Sequence, residues 1–236
     1  MGLLDIERID CSYGHNQVLW GVSASMDSNE IVAVIGSNGA GKTTLLRAIC
    51  GLNKISNGSI RWKGEPIENE PTEQIVGRGI SQIPEGGGIF PTLTVLENLN
   101  VGAYAKQNWG KRASNIRKVF LMFPQLEERQ NQLSGTLSGG ERQMLGIAKG
   151  LMSSPEFLIL DEPSLGLSPK LVSKLLDGVE EIAGQGVTVL LVEQNVHLAM
   201  RISDRAYVLE NGKIALEGLS GTLLENDHVR RTYLGL

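Results

Sequence analysis

Cysteine is scarce. The 236-residue chain has two, Cys11 and Cys50, with no metal-ligand spacing between them. Both read as buried or idle thiols of a reducing compartment. Excess positive charge is also missing: 22 Lys and Arg stand against 26 Asp and Glu, for a net charge of −4, so no basic surface advertises nucleic acid. The cluster Lys106, Lys111, Arg112, Arg117 and Lys118 reads as a solvated helix face. No apolar run approaches the length of a membrane span. The opening Met1-Gly2-Leu3-Leu4-Asp5-Ile6 lacks the basic and long apolar regions of a signal peptide, and Ile6 breaks the myristoylation pattern. A soluble protein is expected, reaching a membrane only through a partner. Internal repeats and low-complexity segments are absent too.

What is present is enough apolar content, 41% of residues, to bury a sizeable core. That fits one domain of α/β size with a subdomain, and leaves no room for two tandem nucleotide domains. The chain is organised around Gly36-Ser37-Asn38-Gly39-Ala40-Gly41-Lys42-Thr43, which fits G-x-x-x-x-G-K-[ST] and follows the short apolar run Ile31 to Ile35 of a buried parallel strand. Glycines let backbone N–H groups turn around phosphate oxygens; Lys42 reaches the outer phosphates and Thr43 offers a hydroxyl to Mg²⁺. Thr44 to Ile49 continues as a helix whose N-terminal dipole faces the anion.

Around that loop, Leu4 to Ile9, Val22 to Met26 and Ile60 to Trp62 alternate apolar with polar residues, as antiparallel strands with one wet face do. Tyr13-Gly14 falls in the loop between the first two, where a ring could stack on a purine. From Pro91 to Gln132 the pattern turns helical, with Val95 to Tyr104 and a stripe of Ile116, Val119, Phe120 and Phe123 ended by Pro124. In Leu137-Ser138-Gly139-Gly140-Glu141, Ser138 and Glu141 form a capping box. The glycines suit close approach of backbone to an anion. Phe157 to Leu160 is a buried strand ending in Asp161-Glu162, at the strand end where open α/β sheets bind ligands. Asp161 there suits Mg²⁺ and Glu162 suits polarising a water; both could instead be helix caps. Ser168-Pro169 opens a helix as N-cap and N1. Val187 to Val192 is a further buried strand stopping at Glu193-Gln194-Asn195. Ala206 to Leu216 forms a hairpin about Asn211-Gly212, and the tail from Thr222 to Leu236 reads as helical.

The loop at 36–43, the signature Leu137 to Glu141 and the strand Phe157 to Glu162 together resemble the ATP-binding subunits of ABC transporters, in an order and spacing that cover nearly the whole chain. The resemblance implies a P-loop NTPase α/β core with an N-terminal antiparallel β subdomain, over 1–90 and 154–236, and an inserted helical subdomain at about 91–153. It implies adenine stacking on Tyr13, phosphate binding by Gly36 to Thr44, Mg²⁺ on Thr43, Asp161 and Glu85, and Glu162 as catalytic base with Lys42 and Gln194 assisting. Ser138, Gly139 and Gly140 are then expected to close on the γ-phosphate of a second subunit in a head-to-tail dimer.

Three positions depart from the general pattern: Glu85 replaces an expected glutamine, Gln194 a histidine, and Ser168 a frequent aspartate. With Pro84-Glu85-Gly86, Asp161 to Pro169, Leu191 to Asn195 and the closing Arg231-Thr232-Tyr233-Leu234-Gly235, these departures resemble one branch, the second ATPase subunit of branched-chain amino acid importers. Gly87 and Gly88 stand where that branch commonly carries arginines. The branch implies an ATP-hydrolysing subunit on the cytoplasmic face of the plasma membrane, bound to integral permease subunits and only indirectly to a solute-binding protein, with no nucleic acid. Urea, short amides or other amino acids stay open as solutes. A non-transport ABC ATPase is a weaker fit, because the signature at Leu137 follows Thr43 too soon for a second ATP domain or long coiled coil. A GTPase lacks its Asn-Lys-x-Asp, Asn53-Lys54-Ile55-Ser56 missing the acid.

Overall fold

Alternation builds the first sheet and continuous apolar runs build the second. The computed structural model describes residues 2–68, 70–104 and 106–235, the side chains of 106–108 excepted. Met1, Asn69, Ala105, Leu236 and the Lys106 side chain of the basic cluster therefore lie outside the described residues. Strands β1 (Leu4–Tyr13), β2 (Asn16–Met26), β4 (Ile55–Trp62) and β5 (Glu65–Pro66) pair antiparallel in the order β2-β1-β4-β5. Leu4 and Ile6 point inward and Glu7 outward; a register shift at Arg8, whose φ is +45°, resets the alternation so that Ile9 and Cys11 stay buried.

The second sheet runs β10 (Lys213–Leu219), β9 (Arg205–Glu210), β3 (Ile31–Ile35), β8 (Thr188–Glu193), β7 (Phe157–Asp161), β6 (Ile80–Ile83). All neighbours are parallel except β10, which returns antiparallel to β9. Strands β3, β7 and β8 are buried along their whole length because both faces are covered. One face, with Val32, Val34, Ile159 and Leu190, packs on the first sheet and on α1 (Lys42–Ile49) and α2 (Thr72–Gly77). The other, with Ile31, Ala33, Leu158 and Leu191, packs on α7 (Pro169–Gly184), α8 (Val196–Ile202) and the helices that lie between β6 and β7. Those inserted helices are α3 (Val95–Gly102), α4 (Arg112–Met122), α5 (Pro124–Glu128) and α6 (Gly139–Leu151).

Several local expectations are corrected. Tyr13 is the last residue of β1, paired with Asn16, rather than a loop residue. Pro124 does not simply end a helix: α4 stops at Met122 and Pro124 opens α5 at its first position, where its missing N–H costs nothing. The tail is three short pieces, α9 (Ser220–Leu224), α10 (Asp227–Val229) and one π turn over Arg230–Leu234, broken where Asn226 caps α10. Lys111, Arg112, Arg117 and Lys118 are exposed along α4 and the turn before it. Both cysteines are buried free thiols, and burial pushes Cys50 up to about 12. Among the described residues no helix is long and apolar enough to cross a membrane.

Candidate functional site

Strand β3 lies mid-sheet between β8 and β9, so the loop that leaves it opens at the carboxyl edge beside the ends of β7 and β8. The loop closes on itself through Ala40 N–H to Ser37 O, 3.1 Å, and turns into α1 at Gly41, whose φ of +109° excludes a side chain. A Cβ there would also sit 2.8 Å from Leu19 Cδ2. Gly41 caps α1 without a side-chain hydrogen bond, which leaves first-turn N–H groups for an anion. Asn38 and Gly39 are exposed at the crest, Gly36 is buried at the base, Thr43 is exposed and Thr44 buried. Lys42, only 5% exposed, folds back so that Nζ donates to Gly36 O at 2.9 Å and Ser37 O at 3.2 Å, and lies 3.1 Å from Glu162 Oε1.

Asp161 ends β7 buried, and its carboxyl is pushed up to about 6 by burial first, then by Glu162 and Glu85, against the opposing pull of Lys42 and Arg47. Glu162 follows with φ +44°, a left-handed conformation unusual for a residue with a side chain, held by its N–H donating to Val192 O at 2.8 Å. Glu85 is exposed and shares with Thr43 and Asp161 the wall of a cleft of about 630 Å³. Gln194 is exposed just past β8 and walls one cavity with Glu162 and another with Ser37. Tyr13, 43% exposed, accepts a hydrogen bond from Asn53 Nδ2 at 2.7 Å. Burial raises its phenol, but hydrogen bonding with Thr44, Asn53 and Arg47 outweighs that and lowers it.

A family model described as ABC transporter matches residues 19–165. The chain belongs to the ABC transporter family. It is 44% identical over 233 residues to the high-affinity branched-chain amino acid transport ATP-binding protein BraG of Pseudomonas aeruginosa, covering 99% of this chain and 100% of that one. It is 36% identical to the probable branched-chain amino acid transport ATP-binding protein LivF of Archaeoglobus fulgidus, over 99% of both. The lipopolysaccharide export ATP-binding protein LptB of Haemophilus influenzae is 34% identical, over 100% of this chain and 98% of that one. Among solved structures, the ADP conformation of MJ1267, an ATP-binding cassette of an ABC transporter, superposes with a TM-score of 0.85 at 27% identity over 100% of both chains. As an ABC ATPase the chain binds and hydrolyses ATP.

The ABC signature stands apart from the phosphate loop. Ser138 is the N-cap of α6, in a full capping box: Glu141 N–H donates to Ser138 Oγ at 3.4 Å and Ser138 N–H to Glu141 Oε2 at 2.8 Å. Ser138 and Gly139 are exposed and Gly140 buried, and none of the three walls the cavities of Asp161, Glu162 and Gln194. At the departure from the branch, Gly87 has φ +80° and a Cβ would lie 2.9 Å from the Arg142 carbonyl oxygen, so an arginine requires the loop to shift.

Sequence reasoning passed over two groups. Glu193, 2% exposed, ends β8 with its carboxylate against the loop of Glu162; the acid closing an apolar run was its only signal. The tail also reaches the site: Tyr233 hydroxyl and His228 Nε2 both meet Glu210 Oε1, at 2.9 and 2.7 Å, and Tyr233 walls both cavities of Gln194. Gly212 in the β9–β10 turn joins strand β2 to the phosphate loop. Its N–H donates to Ala40 O and its carbonyl accepts from Trp20 N, each at 2.9 Å.

Proposed function

We propose that this ABC ATPase is the energising subunit of an importer of branched-chain or other hydrophobic amino acids. The observation behind this reading is the end-to-end identity of 44% to the branched-chain amino acid transport protein BraG, against 34% for the export protein LptB. Backbone N–H groups of 36–44 and the Lys42 ammonium hold the ATP phosphates, Tyr13 stacks on adenine, Glu162 takes the proton of the attacking water, and Gln194 donates to the γ-phosphate or water. Ser138, Gly139 and Gly140 of one subunit close on the ATP of a second, whether a copy or a paralogue. ATP's higher affinity for the closed dimer does work on the permease.

Mg²⁺ fits the acidic cluster. The carboxyl of Asp161 is pushed up by burial and by Glu162 and Glu85, surplus negative charge that a cation offsets. Among the described residues no three metal-ligating acids, histidines or cysteines converge. Mg²⁺ commonly takes one or two carboxylates plus substrate phosphates, so Thr43, Asp161 and Glu85 suffice as its protein ligands. Bound there, it would neutralise phosphate charge.

The permease has a natural seat. Leu52, Phe90, Val101 and Tyr104 are exposed apolar residues on the walls of the cleft that also holds Glu85 and Asp161. An apolar wedge from a membrane subunit on the cytoplasmic face would touch both the inserted helices and the ATP site. Purification from native membranes should recover the permease with this chain, and Phe90→Asp should lose it while keeping ATP binding. Branched-chain amino acids should stimulate hydrolysis by the recovered complex. Stimulation by urea or short amides instead would reassign the solute, and recovery with ribosomal particles and no membrane protein would overturn the reading.

A further inference from the structure

Glu193 is a buried acid with no part in the scheme above. Its Oε1 accepts the backbone N–H of Ser164 at 3.1 Å. Burial pushes the carboxyl up; hydrogen bonds from the Ser164 side chain, the Ser164 backbone and the Asn195 backbone pull it back, and Glu162 pushes it up further. The same strand end also holds Glu162 itself, through Glu162 N–H to Val192 O at 2.8 Å. The Ser164 hydrogen bond thus joins two loops: the one that carries Glu162 as far as Ser164, and the one that Glu193 opens and Gln194 continues.

Stability does not account for an acid here. Burying a carboxylate gives up its hydration, and a well-packed apolar side chain of similar size would serve the core as well or better. What an apolar side chain cannot do is accept the Ser164 N–H and so tie the loop of Glu162 to the end of β8. Glu162 also needs restraint, because its φ of +44° relaxes toward the ordinary region unless its neighbours hold it. Ser164 is the anchor two positions beyond that strained residue, and Glu193 is what grips the anchor.

We propose that Glu193 is a positioning residue for ATP hydrolysis, its carboxylate clamping the Glu162 loop to the Gln194 loop so that base and γ-phosphate contact keep one geometry. The proposal rests on the reading of Glu162 as catalytic base. It predicts that Glu193 acts on the chemical step and leaves ATP binding alone.

The test measures steady-state hydrolysis, ATP affinity and melting temperature for wild type, Glu193→Met, Glu193→Ala, Glu193→Gln, Glu162→Gln and the Glu162→Gln/Glu193→Met pair. Methionine keeps the volume and removes the acceptor, so folding is retained; glutamine keeps an acceptor oxygen. Glu193→Met and Glu193→Ala should lower kcat by about 10- to 100-fold, the reach of a misplacement of about 1 Å, with KM and ATP affinity within about twofold. Glu193→Gln should recover most of the loss. In the double variant, Glu193→Met should add nothing to Glu162→Gln. Unchanged kcat in Glu193→Met with only a shifted melting temperature overturns the proposal, as does an additive double variant. Wild-type turnover in Glu162→Gln would instead sink the base assignment on which it rests.

Discussion

Lys42 Nζ and Glu162 Oε1 lie 3.1 Å apart, with both side chains largely shielded from solvent. The same ammonium caps the Gly36 and Ser37 carbonyls, so one cation ties the phosphate loop to the carboxylate that follows β7.

Glu162→Gln keeps the shape and a hydrogen-bonding oxygen but removes the carboxylate proposed as the base. Hydrolysis should fall by about 10²- to 10⁴-fold while ATP binding is retained, and ATP-bound dimer should accumulate. Single-turnover hydrolysis with size-exclusion chromatography checks both. Loss of ATP binding would mean that the Lys42 pair serves to build the loop.

Ser138→Ala separates two roles of one hydroxyl. The capping box alone is worth about 1 kcal/mol, which a thermal melt would register. The reading given above adds that hydrolysis falls in the assembled dimer though each isolated chain still binds ATP. A purely thermal defect, with activity per folded molecule intact, would leave Ser138 as a cap only.

Asp161 makes stability depend on pH with a definite sign. Its folded value of about 6 lies above the ordinary 3.8, so the folded chain holds this proton more tightly than the unfolded chain does. The Asp161 contribution therefore falls as pH rises from about 4 through 6, and the destabilisation is complete above that window. Without nucleotide, Asp161→Asn should melt higher than wild type at about pH 7.5, and the gap should close on acidification. It should also lose hydrolysis. A gap that widens toward acid would contradict the burial argument.

Gln194 offers a carboxamide where an imidazole would titrate. Gln194→Ala should slow hydrolysis in the permease complex, whereas Gln194→His should keep substantial activity and gain a pH dependence between about 6 and 7. Comparison of the pH profiles of hydrolysis decides it. Wild-type rates for Gln194→Ala at every pH would remove the contact.

The parts of this chain legible in its sequence are those whose physics is local or one-dimensional. Apolar runs such as Ile31 to Ile35 and Thr188 to Val192 announce strands covered on both faces, and Asn211-Gly212, with φ of +48° and +76°, announces its turn. Strand β5 was illegible because two residues, one a proline, carry no period; α2 buries only Ile75 and so shows no stripe. At the site, the phosphate loop reads directly from glycine and lysine spacing. The Lys42–Glu162 pair, the grip of Glu193 on Ser164 and the reach of Tyr233 to the cavities of Gln194 join positions far apart in sequence, and no pattern within one segment encodes them.

Gly212 works as a buckle. Through the N–H and C=O of one residue it fastens the edge strand that carries Trp20 to the phosphate loop at Ala40, and no side chain at that point could stretch or swing aside to absorb a displacement. A shift of the antiparallel sheet against the β9–β10 hairpin must therefore either carry the Ala40 carbonyl with it or break one of these two hydrogen bonds.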